Sequence, residues 1–368
     1  MKILFVANTS WYLYNFRKPL LIELRNKGFE VHAASPFDSY TIKLNKIGVI
    51  THNIKISRSS ISPFGDIYLA LSLLILYKKL LPNIIHHFTI KPVIWGSFVL
   101  SFFPKINVVN SIPGLGIVFK DNTILKSIVT MLYRFGLKDR FKIIFQNPND
   151  RKLFIDNKIV SNNQSHLILS SGVDVEYYKK NAKRRTKRIK YFGIMSRLLW
   201  SKGINEFVEA SHIIYSEYSD IKFIILGSPD YGSKNSISHE WLENIDKNYE
   251  YIEWIKHKAD VRPFLEQIDV FVLPSYYPEG IPKSLIESAS FGLPLITTDT
   301  PGCREVVKNN YNGYLIKPMD INELTKSMKK IVLNPNLLEE FGNNSRKLAL
   351  KKFDVKIVNN QTIDLYNF

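Results

Sequence analysis

Short apolar runs alternate along the chain with stretches in which apolar residues return every three or four positions, and this alternation predicts parallel strands covered by helices. In the first half the strand-like runs are Ile3–Ala7, Glu30–Ala34, Ile84–His86, Asn107–Asn110 and Ile143–Gln146. In the second half they are Ile189–Ile194, Lys222–Leu226, Tyr251–Trp254, Val270–Leu273, Leu295–Thr297 and Gly313–Ile316. Between the first two runs, Phe16 to Gly28 reads as a helix that its glycine stops. Each half therefore supports a doubly wound sheet, an α/β class with two Rossmann-like domains. Tyr177 to Lys190, YYKKNAKRRTKRIK, is charged and has no apolar period, so it reads as a linker. The expected division is residues 1–176, residues 177–352, and a closing helix over 353–368 that no strand follows.

Length and composition agree with two cores. The chain has 368 residues, 45% hydrophobic and 23% charged, which excludes a disordered chain. The single cysteine, Cys303, excludes an internal disulfide framework, fits a reducing compartment, and reads as incidental to a turn. The start, Met1 to Asn8, has one basic residue and an apolar run too short for a signal peptide. Tyr68 to Tyr77, the longest apolar stretch, falls short of the roughly 20 residues of a membrane span, so no transmembrane helix is expected.

The balance of 50 Lys+Arg against 33 Asp+Glu gives a net charge of +17. No nucleic-acid motif accompanies it and the charge is spread along the chain, so nucleic acid is not the expected partner. An anionic membrane surface fits better. Lys120, Lys126, Arg134, Lys138, Arg140 and Lys142 are interleaved at helical spacing with Ile124, Leu125, Ile128, Met131, Leu132, Tyr133 and Phe135. That pattern is either an amphipathic basic helix for such a surface or a solvated helix with one face on the core.

The segment Pro278 to Ala289 carries the most chemistry. The run Val270 to Leu273 ends at a turn, Pro282 suits a helix start, and the reading is strand, loop with Glu279, then helix with Glu287. The N–H groups at such a start, here those of Gly280, Ile281 and Lys283 around Pro282, which has none, together with the aligned peptide dipoles, favour an anion such as a diphosphate. Glu287 is placed to accept from ribose hydroxyls and Glu279 from a sugar, which describes a nucleotide-sugar pocket. Earlier, Gly193 to Gly203 sets Arg197 and Lys202 on a loop leaving a strand, where two cations would neutralise the leaving diphosphate.

Glu279, Gly280, Pro282 and Glu287, with Ser288 for the usual Ala, resemble the Glu-x7-Glu motif of the retaining GT-B glycosyltransferases of family 4, also called group 1. Gly193, Arg197, Lys202 and Gly203 resemble that family's G-R-L…K-G motif. The resemblance implies two Rossmann-like domains facing each other across a cleft, with the final helix crossing back onto the first domain. It implies anomeric retention without a metal or other cofactor, same-face attack, and catalytic roles for Glu279, Arg197 and Lys202. Gly227, closing the next strand, and the helix start from Gly280 to Lys283 join the donor site by the same resemblance.

The first domain is then the acceptor domain. Asn15 and Arg17 on the first helix, His87 and Lys91 after one strand, and Gly114 and Gly116 after another are its candidate contacts. The last two segments resemble enzymes that build O-antigen and capsule on a polyprenyl diphosphate. The expectation is transfer of an N-acetylhexosamine or hexose from a UDP-sugar, by a cytoplasmic protein held peripherally on the inner face of the membrane. A sugar-nucleotide epimerase of the same fold, a glycogen-type synthase and a non-catalytic basic membrane-surface protein are the alternatives. The His86–His87 pair lacks further ligands at metal spacing, so no metal is expected. Gly172, Val173 and Asp174 match the family's G-V-D, as a turn or a ligand contact.

Overall fold

The computed structural model describes residues 1–56, 62–116, 119, 124–180, 189–278 and 280–366. Glu279, Lys120 and residues 181–188 of the expected linker lie outside the described residues. The chain forms two compact units, Met1–Gly172 with Val355–Phe368, and Val173–Asp354. These divisions fall a few residues from the expected 176/177 and 352/353.

In the first unit the order is β1 (Lys2–Val6), α1 (Ser10–Asn26), β2 (Glu30–Ser35), α2 (Thr41–Lys46), β3 (Ile50–Asn53), α3 (Pro63–Leu80), β4 (Ile84–Phe88), α4 (Ser97–Leu100), β5 (Asn107–Ile112), α5 (Ile124–Gly136), β6 (Lys142–Phe145), α6 (Pro148–Asp156) and β7 (Ser165–Leu167). The sheet is parallel throughout, ordered β3-β2-β1-β4-β5-β6-β7. Alternate residues of β1 feed two cores, with Leu4 and Val6 in one and Ile3 and Phe5 in the other. The strands are thus buried on both faces, which is why they read as continuous apolar runs. The sequence pattern overlooks β3 and β7. Both are edge strands of mixed polarity, ITHN and SHL, and an edge strand has no need of an unbroken apolar run.

Helix α1 begins earlier than its apolar period suggests, because the Thr9 side chain caps it by accepting from the Tyr12 N–H. Asn15, just ahead of the expected start at Phe16, therefore lies within the helix, as Arg17 does. The closing helix packs on this unit. Asn359 donates to Glu23 at 2.8 Å, Lys142 donates to the Leu365 carbonyl at 2.6 Å, and the buried Tyr366 hydroxyl meets His86 Nδ1 at 2.7 Å.

The second unit runs β8 (Tyr191–Met195), α7 (Ile204–Glu217), β9 (Lys222–Leu226), α8 (His239–Asn248), β10 (Ile252–Ile255), α9 (Arg262–Gln267), β11 (Val270–Leu273), α10 (Lys283–Ser290), β12 (Leu295–Thr298), α11 (Cys303–Val306), β13 (Gly313–Ile316), α12 (Ile321–Leu333) and α13 (Asn336–Leu348). Its parallel sheet is ordered β10-β9-β8-β11-β12-β13, and α14 (Val355–Asp364) then belongs to the first unit. In both sheets the order reverses beside the unit's first strand. In open α/β sheets ligands bind outside the carboxyl ends of the two strands at that point. In the second unit those strands are β8 and β11.

Candidate functional site

The loop after β8 carries Arg197 and Lys202, and the loop after β11 leads into α10 with Glu287. Backbone bonds tie the two loops together. The Ser201 carbonyl accepts from the Tyr276 and Tyr277 N–H groups at 3.0 and 3.1 Å, and from the Ser275 hydroxyl at 3.3 Å. Gly203 makes this approach possible. It sits at φ +78°, and a Cβ there would lie 2.3 Å from the Pro274 carbonyl oxygen. The Lys–Gly pair in the sequence thus has a steric reason: the glycine lets the lysine loop lie on the end of β11.

Lys202 is 7% exposed, and its ammonium stands 5.0 Å from the centre of the Tyr277 ring. Burial and the neighbouring Arg197 guanidinium push its pKa down to about 7, so its proton is unusually easily lost. Arg197 is 45% exposed at its side chain and pairs with Asp230 at 2.7 Å. Asp230 lies just after β9, beyond Gly227. Gly227 is itself needed for close approach, since a Cβ would sit 2.1 Å from the Ser196 carbonyl oxygen. Gly193 lies deeper, inside β8, where a Cβ would collide with Ile268 and Phe264, so its place is one of helix packing.

Helix α10 starts at Lys283, with Pro282 at the N-cap position and, among the described residues, no side chain capping it. Gly280 and Ile281 lead into that start. Its first-turn amides therefore present a positive end, as the sequence anticipates. Glu287 is buried one turn on, with the Lys283 ammonium 3.8 Å from Oε1. The Tyr178 hydroxyl donates to its carboxylate. Burial raises the pKa of Glu287, while Lys283 and the tyrosine bond pull it back.

Tyr178 has no counterpart in the sequence reading, which takes Tyr177 to Lys190 as a solvated linker. Its opening residues are instead packed. The Arg262 guanidinium stacks 3.9 Å over the Tyr177 ring and is held by Asp260 through bonds of 2.7 to 3.2 Å. Adjacent aromatic residues at the start of the run are the one available signal. Asp174 is a turn residue, its carboxylate accepting from the Glu176 and Tyr177 N–H groups at 3.1 and 3.0 Å. A separate cavity of about 700 Å³, bounded by Asn309, Lys317, Asp320 and Lys326, includes none of the expected donor residues.

The first-unit candidates are dispersed. His87 is fully buried, Nε2 against the Tyr77 hydroxyl and Nδ1 against Asn110 Oδ1, both at 2.8 Å, so it faces no ligand surface. Burial lowers its pKa to about 4. Its neighbour His86 is held between Ser111 and Tyr366. Arg17 is 5% exposed, stacked 4.6 Å over Phe88, and its Nε has no hydrogen-bond partner among the described residues. Asn15 turns back to the Trp11 carbonyl at 2.9 Å. Lys91 pairs with Asp66 at 2.7 Å and lines a cavity of about 520 Å³ with Lys55, Ile54, Phe37 and Tyr68. Gly114 and Gly116 lie in the loop after β5, where Gly116 has φ +65°. Among the described residues no cluster of three or more His, Cys, Asp or Glu is disposed to hold a metal.

These sites can be set beside known proteins. Residues 176–348 match the family model of glycosyl transferases group 1, and residues 2–147 match that of the glycosyl transferase 4-like proteins. The chain belongs to the group 1 glycosyltransferases. This glycosyltransferase is 26% identical to the N,N'-diacetylbacillosaminyl-diphospho-undecaprenol alpha-1,3-N-acetylgalactosaminyltransferase of Campylobacter jejuni, over 100% of this chain and 98% of that one. It is also 26% identical to the UDP-Gal:alpha-D-GlcNAc-diphosphoundecaprenol alpha-1,3-galactosyltransferase of Escherichia coli, over 83% and 81% of the two chains. Among solved structures it superposes on Anabaena HepE in complex with UDP with a TM-score of 0.79, at 17% identity and 99% coverage of both chains. The fold of the glycosyltransferase is therefore GT-B.

Proposed function

We propose that this glycosyltransferase moves an N-acetylhexosamine or hexose from a UDP-sugar to a polyprenyl-diphosphate-linked glycan, with retention and without a metal, in O-antigen or capsule biosynthesis. The observation that carries the proposal is the bonding of the β8 and β11 loops through the Ser201 carbonyl, which gathers Lys202 and the uncapped start of α10 at one switch point. A buried ammonium on one of the bonded loops and a helix N-terminus at the end of the other suit a diphosphate that gains charge as the glycosidic bond breaks. Arg197 completes the grip once it shares its charge between Asp230 and the ligand. Glu287 takes the ribose hydroxyls, exchanging its bond from Tyr178 for theirs. Glu279 orients the donor sugar.

Chemically, the bond from the anomeric carbon to the β-phosphate oxygen breaks, and the acceptor hydroxyl bonds the same face of that carbon. The acceptor proton passes to the departing phosphate oxygen, so no enzymic nucleophile and no metal is required. The alpha linkages named for both relatives support retention, since a UDP-hexose is itself alpha-linked. Their undecaprenol-linked acceptors support the acceptor class. In the first unit, Lys91 and Lys55 at their cavity suit an acceptor phosphate. The protein would work peripherally on the inner, anionic face of the membrane. No helix among the described residues is long and apolar enough to cross one.

Incubation with a panel of UDP- and GDP-sugars and a short polyprenyl-diphosphate glycan, read by mass spectrometry with a chelator present, tests the proposal. The expected product is the acceptor plus one sugar from a UDP donor, with an alpha anomeric signal. No product from any donor overturns it. Conversion of the donor sugar without acceptor assigns the chain to the epimerases.

A further inference from the structure

Three helical segments lie side by side over one face of the first sheet, and all three present apolar side chains outward as well as inward. Helix α3 buries Leu69, Leu73 and Tyr77, yet Phe64, Ile67, Tyr68, Leu71 and Ile75 form a second apolar stripe on the opposite side, with Phe64 86% and Ile75 67% exposed. Helix α5 repeats the pattern. Val129 and Tyr133 face the core, while Ile124, Ile128, Met131 and Phe135 are exposed at three- and four-residue spacing, Ile124 at 82%. The aromatic rings of Trp95, Phe98 and Phe102 link the middle segment together, and Phe98 stacks on Phe135 at 5.5 Å. A solvated helix does not keep two apolar stripes, and a contiguous patch of this kind marks an interaction surface.

Charge identifies the partner. From residue 62 to residue 142 the sequence has ten Lys or Arg and three Asp or Glu. The apolar stripes run into exposed basic groups, Lys78 and Lys79 at the end of α3, and Arg134 and Lys138 at and just past the end of α5. We infer that this outer face of α3, α4 and α5 docks in the plane of an anionic bilayer, its apolar side chains entering the acyl region and its lysines and arginines meeting the headgroups. The inference deepens the proposed function and rests on it for the acceptor. Tyr68 belongs both to this face and to the wall of the Lys91 cavity, so a lipid-borne diphosphate would meet Lys91 beside the leaflet that carries it. Burial of the stripes, and not charge alone, supplies the binding.

The test uses the full chain with vesicles of phosphatidylcholine and phosphatidylglycerol. The wild type is expected to float with them at low salt and to remain largely bound at about 1 M salt, where screening acts within about 3 Å. The variant Leu71→Glu/Ile75→Glu is expected to lose at least about tenfold in vesicle affinity at both salts, because apolar burial is replaced by charge facing the leaflet. A fluorophore on Leu71→Cys should be quenched by nitroxides placed in the acyl chains; Cys303 is buried and should not label. Complete release at high salt, undiminished flotation of the double variant, or a label quenched only from the aqueous phase would overturn the inference. So would a stable dimer that the double variant dissociates, which would make a second copy the occupant. Transfer to a water-soluble, short-chain acceptor should be the same in wild type and double variant. If flotation behaves as expected and no transfer occurs, the enzymatic reading fails and the docking face stands; transfer without flotation gives the converse.

Discussion

The two units have the same strand order around their switch points and use those points in opposite ways. In the second, the loops after β8 and β11 are bonded through the Ser201 carbonyl, the first carrying Arg197 and Lys202 and the second leading into α10, with Glu287 one turn into that helix. In the first, the histidines near the end of β4 are satisfied by side chains of α3, β5 and the C-terminal segment. His86 joins Ser111 to Tyr366, and His87 joins Tyr77 to Asn110, all buried. Topology places polar groups at a crevice, but what they do depends on whether they find partners inside the fold. A neutral network with both imidazole nitrogens engaged locks the returning C-terminal segment. A buried ammonium beside a second cation is the arrangement on which the proposed diphosphate site rests.

The sharpest way to break this comparison is to remove the charge. Lys202→Ala should lower turnover with a UDP-sugar on the order of 100-fold or more, as for loss of a group acting on the transition state. Its thermal unfolding temperature should not fall, because the burial of an ammonium is relieved. Glu287→Ala should abolish measurable UDP binding by calorimetry. Full activity in both would separate the loops from the chemistry. In the first unit the reverse holds: His87→Ala should destabilise the fold by about 2 to 4 kcal/mol, through a cavity and orphaned Tyr77 and Asn110 groups, with UDP affinity unchanged.

Acidity and alkalinity should divide the units in the same way. His87 has its folded pKa lowered to about 4 by burial, against 6.5 unfolded. The unfolded chain therefore binds the extra proton between those values, and stability should fall as pH drops from about 6.5 toward 4, by roughly 3 kcal/mol in all. Chemical denaturation across that range measures it, and the slope should be shallower in His87→Phe, with the remainder carried by His86, whose pKa burial also lowers. Lys202 acts in the other direction. Its pKa is about 7 in the free site and rises when a diphosphate lies against it, so donor binding takes up a proton. UDP affinity should weaken above about pH 7, approaching tenfold per unit, with proton uptake visible as a dependence of calorimetric heat on buffer. Lys202→Arg should flatten that profile.

How much of this could be read beforehand follows from where the determining contacts lie. Central strands such as Lys222–Leu226 and Val270–Leu273 coincide with apolar runs because both their faces are buried. The edge strands at Ile50–Asn53 and Ser165–Leu167 do not, having one side free of that demand. The Lys202–Gly203 and Pro282–Glu287 segments were legible because backbone geometry dictates residue type there: left-handed φ at Gly203, and a proline at the mouth of a helix. Partners chosen across sequence distance left no local mark. Asp230 is 33 residues from Arg197, and Tyr178 is distant in sequence from Glu287 and half-buried in a run that composition marks as solvent-facing. His87 shows the opposite failure. Residues of functional type lie near strand ends and on the helix that follows, yet the fold uses His87 inside its core, while Arg17 stacks on Phe88 with its Nε unpartnered among the described residues.

The smallest expected effect concerns Asp230, and it sharpens the contrast most finely. Arg197 and Asp230 form a half-exposed pair at 2.7 Å, which solvent screening limits to about 1 kcal/mol or less. In the free enzyme the carboxylate holds the guanidinium over the end of β9, near the ammonium of Lys202 that it helps to deprotonate. Asp230→Asn keeps a hydrogen-bond acceptor for Arg197 but removes the competing negative charge. Two consequences of opposite sign follow: the diphosphate no longer competes with a carboxylate, while Arg197 is less well oriented. Because the ligand carries more charge than the carboxylate it displaces, the first should dominate, and UDP affinity should rise by about two- to fivefold at low salt. The gain should shrink as salt is added and should be absent in the Arg197→Ala background. A loss of affinity on Asp230→Asn, persisting at high salt, would instead make Asp230 a part of the grip, with Arg197 needing its carboxylate in order to face the donor at all.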